Sequence, residues 1–441
     1  MYLSAANGGG STVVANGKAE REWETFRLWK MENSDHMFKI RVIQEQFMGL
    51  NDNAKLVAVT KSPAQAGIFQ IIRNKENKDQ IKIKASSNGK LLQVMPNGSV
   101  KAIGEPGQSW SNSDPTVFTI HIDKNKQMDG DRQLCSFYGA DQAIKFLQNH
   151  WNSFITEEDF LFISSKGLNA VRIPVAWWIT KNSVRPSCHP PNYPGYQAVL
   201  DRAFDWADKY NLKVIIDLHA APGSQNKQAH SGSRDGIVGW GDAKIDETVQ
   251  VIKALADRYA SRKSLLAIEL LNEPWAPQVG LDTLKKYYKA GYTAVKEKVK
   301  NPDVYVIMSN RLNTNDPTEL VDFASTFDHC VIDVHYYNLY DSSFNTIEDN
   351  INFVKTTRES QLKSLMRANG ARVFVGEWTT EWNVENTKDE DRKRFADVQM
   401  DVYGQASFGW AYWTYKNKYA SWSMKDMIEK VLFVYEKEKL D

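Results

Sequence analysis

The spacing of apolar residues changes character once along this chain, near Tyr138. Before it, up to about residue 122, apolar residues fall in short runs broken by Gly, Asn and Ser, with no helical period. The runs recur. Tyr2-Leu3-Ser4-Ala5, Phe47-Met48-Gly49-Leu50 and Leu91-Leu92-Gln93-Val94 begin equivalent units 45 and 44 residues apart. Each unit closes on an aromatic strand: ETFRLW around Phe26, GIFQII around Phe69 and TVFTIH around Phe118. Three such units predict a β-trefoil over residues 1–122, a small all-β sandwich being the alternative for such regular aromatics. Residues 123–137 are polar and irregular and read as a linker.

From residue 138 to residue 441 strand and helix alternate, which predicts a parallel sheet. Strands are expected at Leu168–Val175, Leu212–His219, Leu265–Leu271, Val304–Ser309, Cys330–Tyr337, Arg372–Trp378 and Phe408–Tyr415. Helices are expected at Asp141–Phe154, Glu157–Lys166, Tyr196–Tyr210, Ile245–Tyr259, Leu281–Lys300 and Asp391–Tyr403. Thr156 followed by Asp159 has the form of a capping box. Seven strand-helix units in this length fit a (β/α)8 TIM barrel better than an open doubly wound sheet. The eighth strand is not visible between the trefoil and Leu168. No G-x-G-x-x-G follows any strand, which argues against dinucleotide binding.

Composition narrows the function. Lys and Arg total 55 against 54 Asp and Glu, so neither nucleic acid nor an acidic membrane is an expected partner. No apolar run reaches the length of a membrane span. The three cysteines, Cys135, Cys188 and Cys330, imply no disulfide framework, and Cys330 reads as a buried thiol. No clustered Cys/His or H-E-x-x-H spacing argues for a metal, and no cofactor is expected. Met1-Tyr2-Leu3-Ser4 enters strand-like sequence without a secretion signal, so the chain as written is expected in the cytosol. Asn97-Gly98-Ser99 is a glycosylation sequon that also reads as a hairpin turn. The 14 Trp and 18 Tyr are plentiful, and indole faces suit the apolar faces of sugars.

The chemistry lies at the strand ends. The apolar run ending at Leu271 stops at Asn272, Glu273 and Pro274, a buried strand delivering an amide and a carboxyl. RVFVGEW likewise ends in Glu377 followed by an aromatic. Two such glutamates are what glycosidic cleavage needs, one as proton donor and one as nucleophile or water activator. Arg172, His219, Asn272 with Glu273, His335 with Tyr337, Glu377 and Trp413 gather polar groups at six strand ends, which in a barrel share one mouth. Packing alone explains any one of them, but not the set. Glu269 reads as structural, and Glu381 is a rival to Glu377 lying past the strand end. The loop from Ala220 to Gly241, with PGSQN, His230 and Trp240, is a candidate pocket wall. Trp177, Trp178, Trp275 and Trp382 are candidate sugar platforms or packing residues.

Together VRIPVAWW, DLHAAPGSQN, ELLNEPW, DVHYYN, VGEW and WTYK resemble glycoside hydrolase family 5. The likeness is strongest to exo-β-1,3-glucanases and to plant β-glucosidases carrying a fascin-like domain, and it covers nearly the whole chain. It implies that Glu273 is the general acid/base and Glu377 the nucleophile of a retaining hydrolase. It further implies that Arg172 keeps Glu377 ionised, that Asn272 binds the sugar 2-OH, and that Tyr337 hydrogen-bonds the nucleophile. His219 and His335 would surround the reacting sugar and Trp413 would form its floor. β-Glucan oligosaccharides or β-glucosides are the implied substrates, with the protein a monomer acting outside the cell or in the cell wall. Cleavage within β-1,4-glucan or mannan, and a catalytically impaired binding or scaffolding protein, are the alternatives.

Family members of this architecture begin with a first barrel strand and a Gly/Trp-rich stretch, whereas this sequence starts inside the first trefoil unit. The strands at Leu168 and Phe408 are therefore expected to be left as sheet edges. A fragment, a shortened paralogue and a less active product all fit that expectation.

Overall fold

In a computed structural model of the chain, residues 1–31, 34, 36–44, 46–107, 109–121, 130–131, 134, 140–180, 195–233, 236–368 and 370–430 are described. Two compact units emerge, one holding residues 1–121 and the other residues 141–430. The expected linker lies outside the described residues except at 130, 131 and 134.

The first unit is antiparallel. Its strands are β1 (Tyr2–Ala5), β2 (Ser11–Gly17), β3 (Arg27–Lys30), β4 (Met37–Arg41), β5 (Phe47–Leu50), β6 (Leu56–Thr60), β7 (Phe69–Arg73), β8 (Gln80–Ala85), β9 (Leu91–Val94), β10 (Val100–Gly104) and β11 (Phe118–Thr119). The recurring runs become the hairpins β1–β2, β5–β6 and β9–β10. The hairpins meet one another: Gly10 N donates to Ala58 O, Ala15 N to Gly98 O and Ala102 N to Ala54 O, each at 2.8 Å. Val13, Ala58 and Ala102, at one repeat position, are all buried there. The sequon lies in the β9–β10 turn, where Gly98 takes a φ of 78° and Ser99 N donates to Asn97 Oδ1.

The second unit is a nearly closed barrel of seven parallel strands in consecutive order: β12 (Ala170–Ala176), β13 (Lys213–Ala220), β14 (Leu265–Glu269), β15 (Tyr305–Ser309), β16 (Cys330–Tyr336), β17 (Arg372–Trp378) and β18 (Gly409–Tyr412). Each falls on one of the expected runs. One side chain reports the curvature. Arg172 on β12 reaches Glu377 on β17 at 2.9 Å, although five strand spacings in a flat sheet would separate them by roughly 24 Å. Among the described residues β12 and β18 each pair on one side only.

Alternation sorts the strand residues into an outer and an inner set. The outer set, including Val214, Ile216, Ile268, Val306, Ile332 and Val373, packs against the helices. The packed helices include α2 (Glu157–Ser165), α3 (Gly195–Lys209), α4 (Ile245–Tyr259), α5 (Leu281–Lys298) and α9 (Asp389–Tyr403), with short helices α6 (Val321–Ala324), α7 (Ile347–Phe353) and α8 (Glu359–Leu365) before α9 and α10 (Met424–Glu429) at the end, while α1 (Ala140–Ser153) precedes them in the chain. Helix α4 shows why: Thr248, Val251, Ile252, Leu255, Ala256 and Tyr259 form its buried stripe at three- and four-residue steps. The start of α2 is held as the capping box predicts, with Thr156 N donating to Asp159 Oδ2 at 2.9 Å. Asp159 also takes Tyr415 Oη at 3.1 Å and Lys416 Nζ at 2.6 Å, tying the chain before β12 to the chain after β18.

The inner set changes chemistry with height. At the bottom Ile215, Ala267, Ile307, Val331 and Phe374 form a closed apolar plug. One pleat higher stand Asp217, Glu269, Ser309 and Asp333 around Arg172, and above them come the groups at the mouth.

Candidate active site

Each carboxyl reaches the mouth through a local departure from regular structure. On β17, Val334 pairs with Val375 but His335 pairs with Glu377, so Gly376 is an inserted residue, a β-bulge. Strict alternation from inward Phe374 would send Glu377 outward to the helices. The insertion reverses that, turning Glu377 inward and Trp378 out into the helix-packed core. Only glycine fits. Gly376 N donates to Asp333 Oδ1 at 2.7 Å, and a Cβ at this position would overlap the Asp333 carboxylate.

Glu273 follows β14 with a φ of 46°, an uncommon conformation for a side chain of this size. The surrounding backbone is held tightly enough to sustain it. Asn272 N donates to Leu218 O at 3.0 Å, Gln225 Nε2 to Asn272 O at 2.8 Å and Asn226 Nδ2 to Glu273 O at 3.0 Å. Trp275 N donates to Gln225 O at 3.0 Å.

Arg172 is the hub beneath the mouth. Its Nε and Nη2 grip Glu269 at 2.7 and 3.0 Å, Nη2 also reaches Asn272 Oδ1 at 2.8 Å, and Nη1 donates to Glu377 Oε1. Asp217 Oδ2 lies 3.3 Å from the same guanidinium. Its side chain is 3 % exposed, so these pairs act at short range in a dry interior. Glu269 is thus structural, as the sequence suggests, and burial pushes its carboxyl well above the usual range against the pull of Arg172.

The two glutamates come together across His335. One oxygen of Glu273, one of Glu377 and a ring nitrogen of His335 all lie within 4.8 Å of one another. His335 Nδ1 is 2.7 Å from Glu273 Oε1 and 3.4 Å from Glu377 Oε2, while Nε2 faces Asp333 Oδ2 at 3.1 Å. Tyr337 Oη donates to Glu377 Oε2 at 2.8 Å. His219 Nδ1 contacts Asp217 Oδ2 at 2.6 Å, Asn272 Nδ2 lies 3.5 Å from His219 Nε2, and the Trp413 ring stacks on His219 with centroids 5.3 Å apart. All eight expected site residues therefore belong to one connected cluster.

Burial opposes the charge on His335, but the carboxylates of Glu377 and Asp333 outweigh it and raise the imidazole well above its ordinary value. Burial likewise opposes ionisation of Glu273, yet the hydrogen bond and charge of His335 hold that carboxyl down to about 2. Glu377 moves the other way: burial pushes it up, and the nearby Glu273 carboxylate adds to that against His335 and Arg172. Arg172 does touch Glu377 as expected, but its charge is shared with Glu269 and Asp217 and does not win. His230, 3.5 Å from Glu273 Oε2, is lowered to about 4 by burial and by His219.

Two overlapping groups, Glu269-Asp333-His335 and Glu273-His335-Glu377, have a spacing that a metal ion could use. In both, Arg172 already occupies a carboxylate, so a cation would compete with a fixed guanidinium.

The secondary candidates divide. His230 reaches the pocket, but Trp240 is buried with its Nε1 donating to Thr248, and Gln225 and Asn226 clamp backbone rather than line a wall. Trp177, Trp178 and Trp382 are buried in the helix-packed core and offer no face to a sugar. Trp275 stays half-buried with Lys227 Nζ 4.7 Å from its ring. Glu381 lies off the catalytic cluster, bonded to Ser421 Oγ and Trp382 N. Asp217 and Asp333, which join this cluster, are not among the residues singled out from sequence. Their signal was the repeated D-x-H of DLH and DVH, whose two-residue step puts acid and imidazole on one face of a strand.

Comparison with known proteins agrees with this picture. Residues 135–419 match the cellulase family, glycosyl hydrolase family 5, and residues 1–122 match a domain of unknown function, DUF7910. A probable glucan 1,3-beta-glucosidase A of Aspergillus terreus is 32% identical over 341 residues, covering 67% of this chain and 79% of the relative. A glucan 1,3-beta-glucosidase of Blumeria graminis is 31% identical over 333 residues, covering 66% and 75%. These relatives are fungal, where the resemblance had pointed to plant enzymes. The crystal structure of rutinosidase from Aspergillus niger shares the fold at a TM-score of 0.57 and 21% identity, covering 69% of this chain and 89% of that one.

Proposed function

Because the chain belongs to glycosyl hydrolase family 5, and so is an O-glycosyl hydrolase, we propose that it cleaves β-glucosidic bonds with retention, acting on β-1,3-glucan oligosaccharides or β-glucosides. One observation carries the mechanism: the facing carboxylate oxygens of Glu273 and Glu377 lie within 4.8 Å. So short a gap between their nearest oxygens supports the close carboxyl pair of retaining enzymes, about 5–5.5 Å apart, over the roughly 6.5–9.5 Å that admits a water between acid and base. The names of the fungal relatives support the β-1,3 preference.

In this reading Glu377 attacks the anomeric carbon, and Arg172 and Tyr337 hold its two oxygens in line. Glu273 protonates the leaving oxygen and later activates the water. The His335 hydrogen bond and charge favour Glu273 as a carboxylate, so the donor must first take up a proton. His335 supplies it: transfer from Nδ1 to Glu273 Oε1 spans 2.7 Å and leaves a neutral ring still donating to Asp333. Asn272 and His219 would meet the sugar hydroxyls, with Trp413 beneath the ring. The threefold hairpin contacts within residues 1–121 support a β-trefoil, joined through a linker at 123–137 to a catalytic domain over 138–441.

The stereochemical course tests the proposal. Proton NMR of an aryl β-glucoside digest should show the β-anomer of glucose first, and an initial α-anomer would refute it. Glucose as first product from a β-1,3-glucan marks an exo enzyme; oligomers mark an endo enzyme. A pH prediction follows from the two carboxyls. Removing the Glu273 charge in Glu273→Gln relieves Glu377 of repulsion and lowers its folded pKa. The acid limb of kcat/KM on a dinitrophenyl glucoside, which needs no donor, should therefore move to lower pH. On glucosides with poor leaving groups the same variant should lose about 10²–10⁴-fold.

A further inference from the structure

We propose a second glycan-binding site in the catalytic domain, formed by the loops that follow β17 and β18; it rests on the glucan-hydrolase reading above. The first loop begins at Thr379, two residues past Glu377, and the second at Trp413. They continue into a cavity of about 340 Å³ lined by Glu381, Arg392, Lys418, Tyr419 and Ser421, a volume within the usual range for ligand pockets.

The walls are fixed. Thr379 Oγ1 and Thr380 Oγ1 donate to Ser421 O at 2.9 and 3.1 Å, and Thr414 N donates to Trp422 O at 2.7 Å. Ser421 Oγ holds one Glu381 oxygen, Trp382 N holds the other, and Arg392 Nη1 is anchored on Thr380 O at 2.6 Å. Above them Tyr419 is 58% exposed, with Lys418 Nζ 4.8 Å from its ring.

The charge set selects the ligand class. An anion would meet Glu381 and Asp389, and a cation would meet Arg392, Lys418 and Lys430. A neutral polyol can use both signs at once, giving hydrogen bonds to carboxylate oxygens and taking them from guanidinium and ammonium groups. The exposed phenol ring adds a flat apolar face against which a pyranose can lie. Because its loops start at the catalytic cluster, the site would hold another stretch of the glucan being cleaved, or a neighbouring chain.

The test uses the full chain with two substrates, 4-nitrophenyl β-glucoside and a soluble β-1,3-glucan, and two variants, Tyr419→Ala and Lys418→Ala. The Tyr419 variant should keep kcat/KM on the aryl glucoside within about twofold while raising KM on the polymer about five- to tenfold at unchanged kcat. Calorimetry of a β-1,3-gluco-oligosaccharide with Glu377→Gln should give two sites, one of which disappears when Tyr419→Ala is added. A single site, an unchanged polymer KM, or equal losses on both substrates would overturn the proposal. Failure of the unaltered chain to turn over either substrate would strike the proposed function instead, and the calorimetric count would still judge the second site.

Discussion

Glu377→Gln is expected to cut turnover of an aryl β-glucoside by on the order of a thousandfold or more, with the protein still fully folded. The amide keeps its oxygen for Arg172 Nη1 and turns its NH2 toward Tyr337 Oη, which can accept, but it cannot form the glycosyl-enzyme bond. Burial raises the pKa of Glu377 in the folded protein, so the group binds its proton more tightly folded than unfolded. Its contribution to stability is therefore full below the unfolded pKa and is lost as pH rises through the folded one. At neutral pH the ionised acid is a burden on the fold that the amide lacks. Thermal unfolding should accordingly show a Tm equal to or above that of the unaltered chain, while steady-state kinetics show the loss. Unchanged hydrolysis would remove Glu377 from the mechanism.

Arg172→Met should produce the largest structural effect, a destabilisation of about 3–5 kcal/mol in urea unfolding together with loss of activity. The substitution leaves Glu269, Asp217 and Glu377 buried without the cation they share. In the variant the carboxyls of Glu269 and Glu377, already raised by burial, would be raised further, so its stability should improve as pH falls toward the ordinary glutamate range. Arg172→Lys should rescue little. A single ammonium cannot grip both Glu269 oxygens through Nε and Nη2 while a third nitrogen holds Glu377. Stability within 1 kcal/mol of the unaltered chain, by the same unfolding measurement, would contradict the hub role given to Arg172.

Much of the barrel was legible because buried parallel strands write themselves as unbroken apolar runs. All seven expected strands form, and helix α4 spans the residues its period predicts. The eight candidate site residues, which gather in one cluster, were legible as candidates for a similar reason, since a polar group ending an apolar run stands out. What stayed hidden depends on side-chain direction and on burial. Trp177, Trp178 and Trp382 read as possible sugar platforms because composition does not say which face of a loop an indole takes. Gln225 and Asn226 looked like pocket lining, whereas their amides satisfy backbone groups around Glu273. The direction of the carboxyl pKa shifts was hidden too, since it depends on how Arg172 divides its charge among acids far apart in sequence. The expected sheet edges at β12 and β18 do pair on one side only among the described residues, a feature visible beforehand only as a missing run.

Gly376 makes the orientation of Glu377, the proposed nucleophile, a matter of phase. Deleting that one residue would exchange lumen for helical jacket at each later position of the strand, sending the acid toward the hydrophobic packing and the Trp378 indole into the sugar's place. The catalytic design thus tolerates changes of side chain along β17 more readily than a change of count, and its most exacting position is the one that carries no side chain at all.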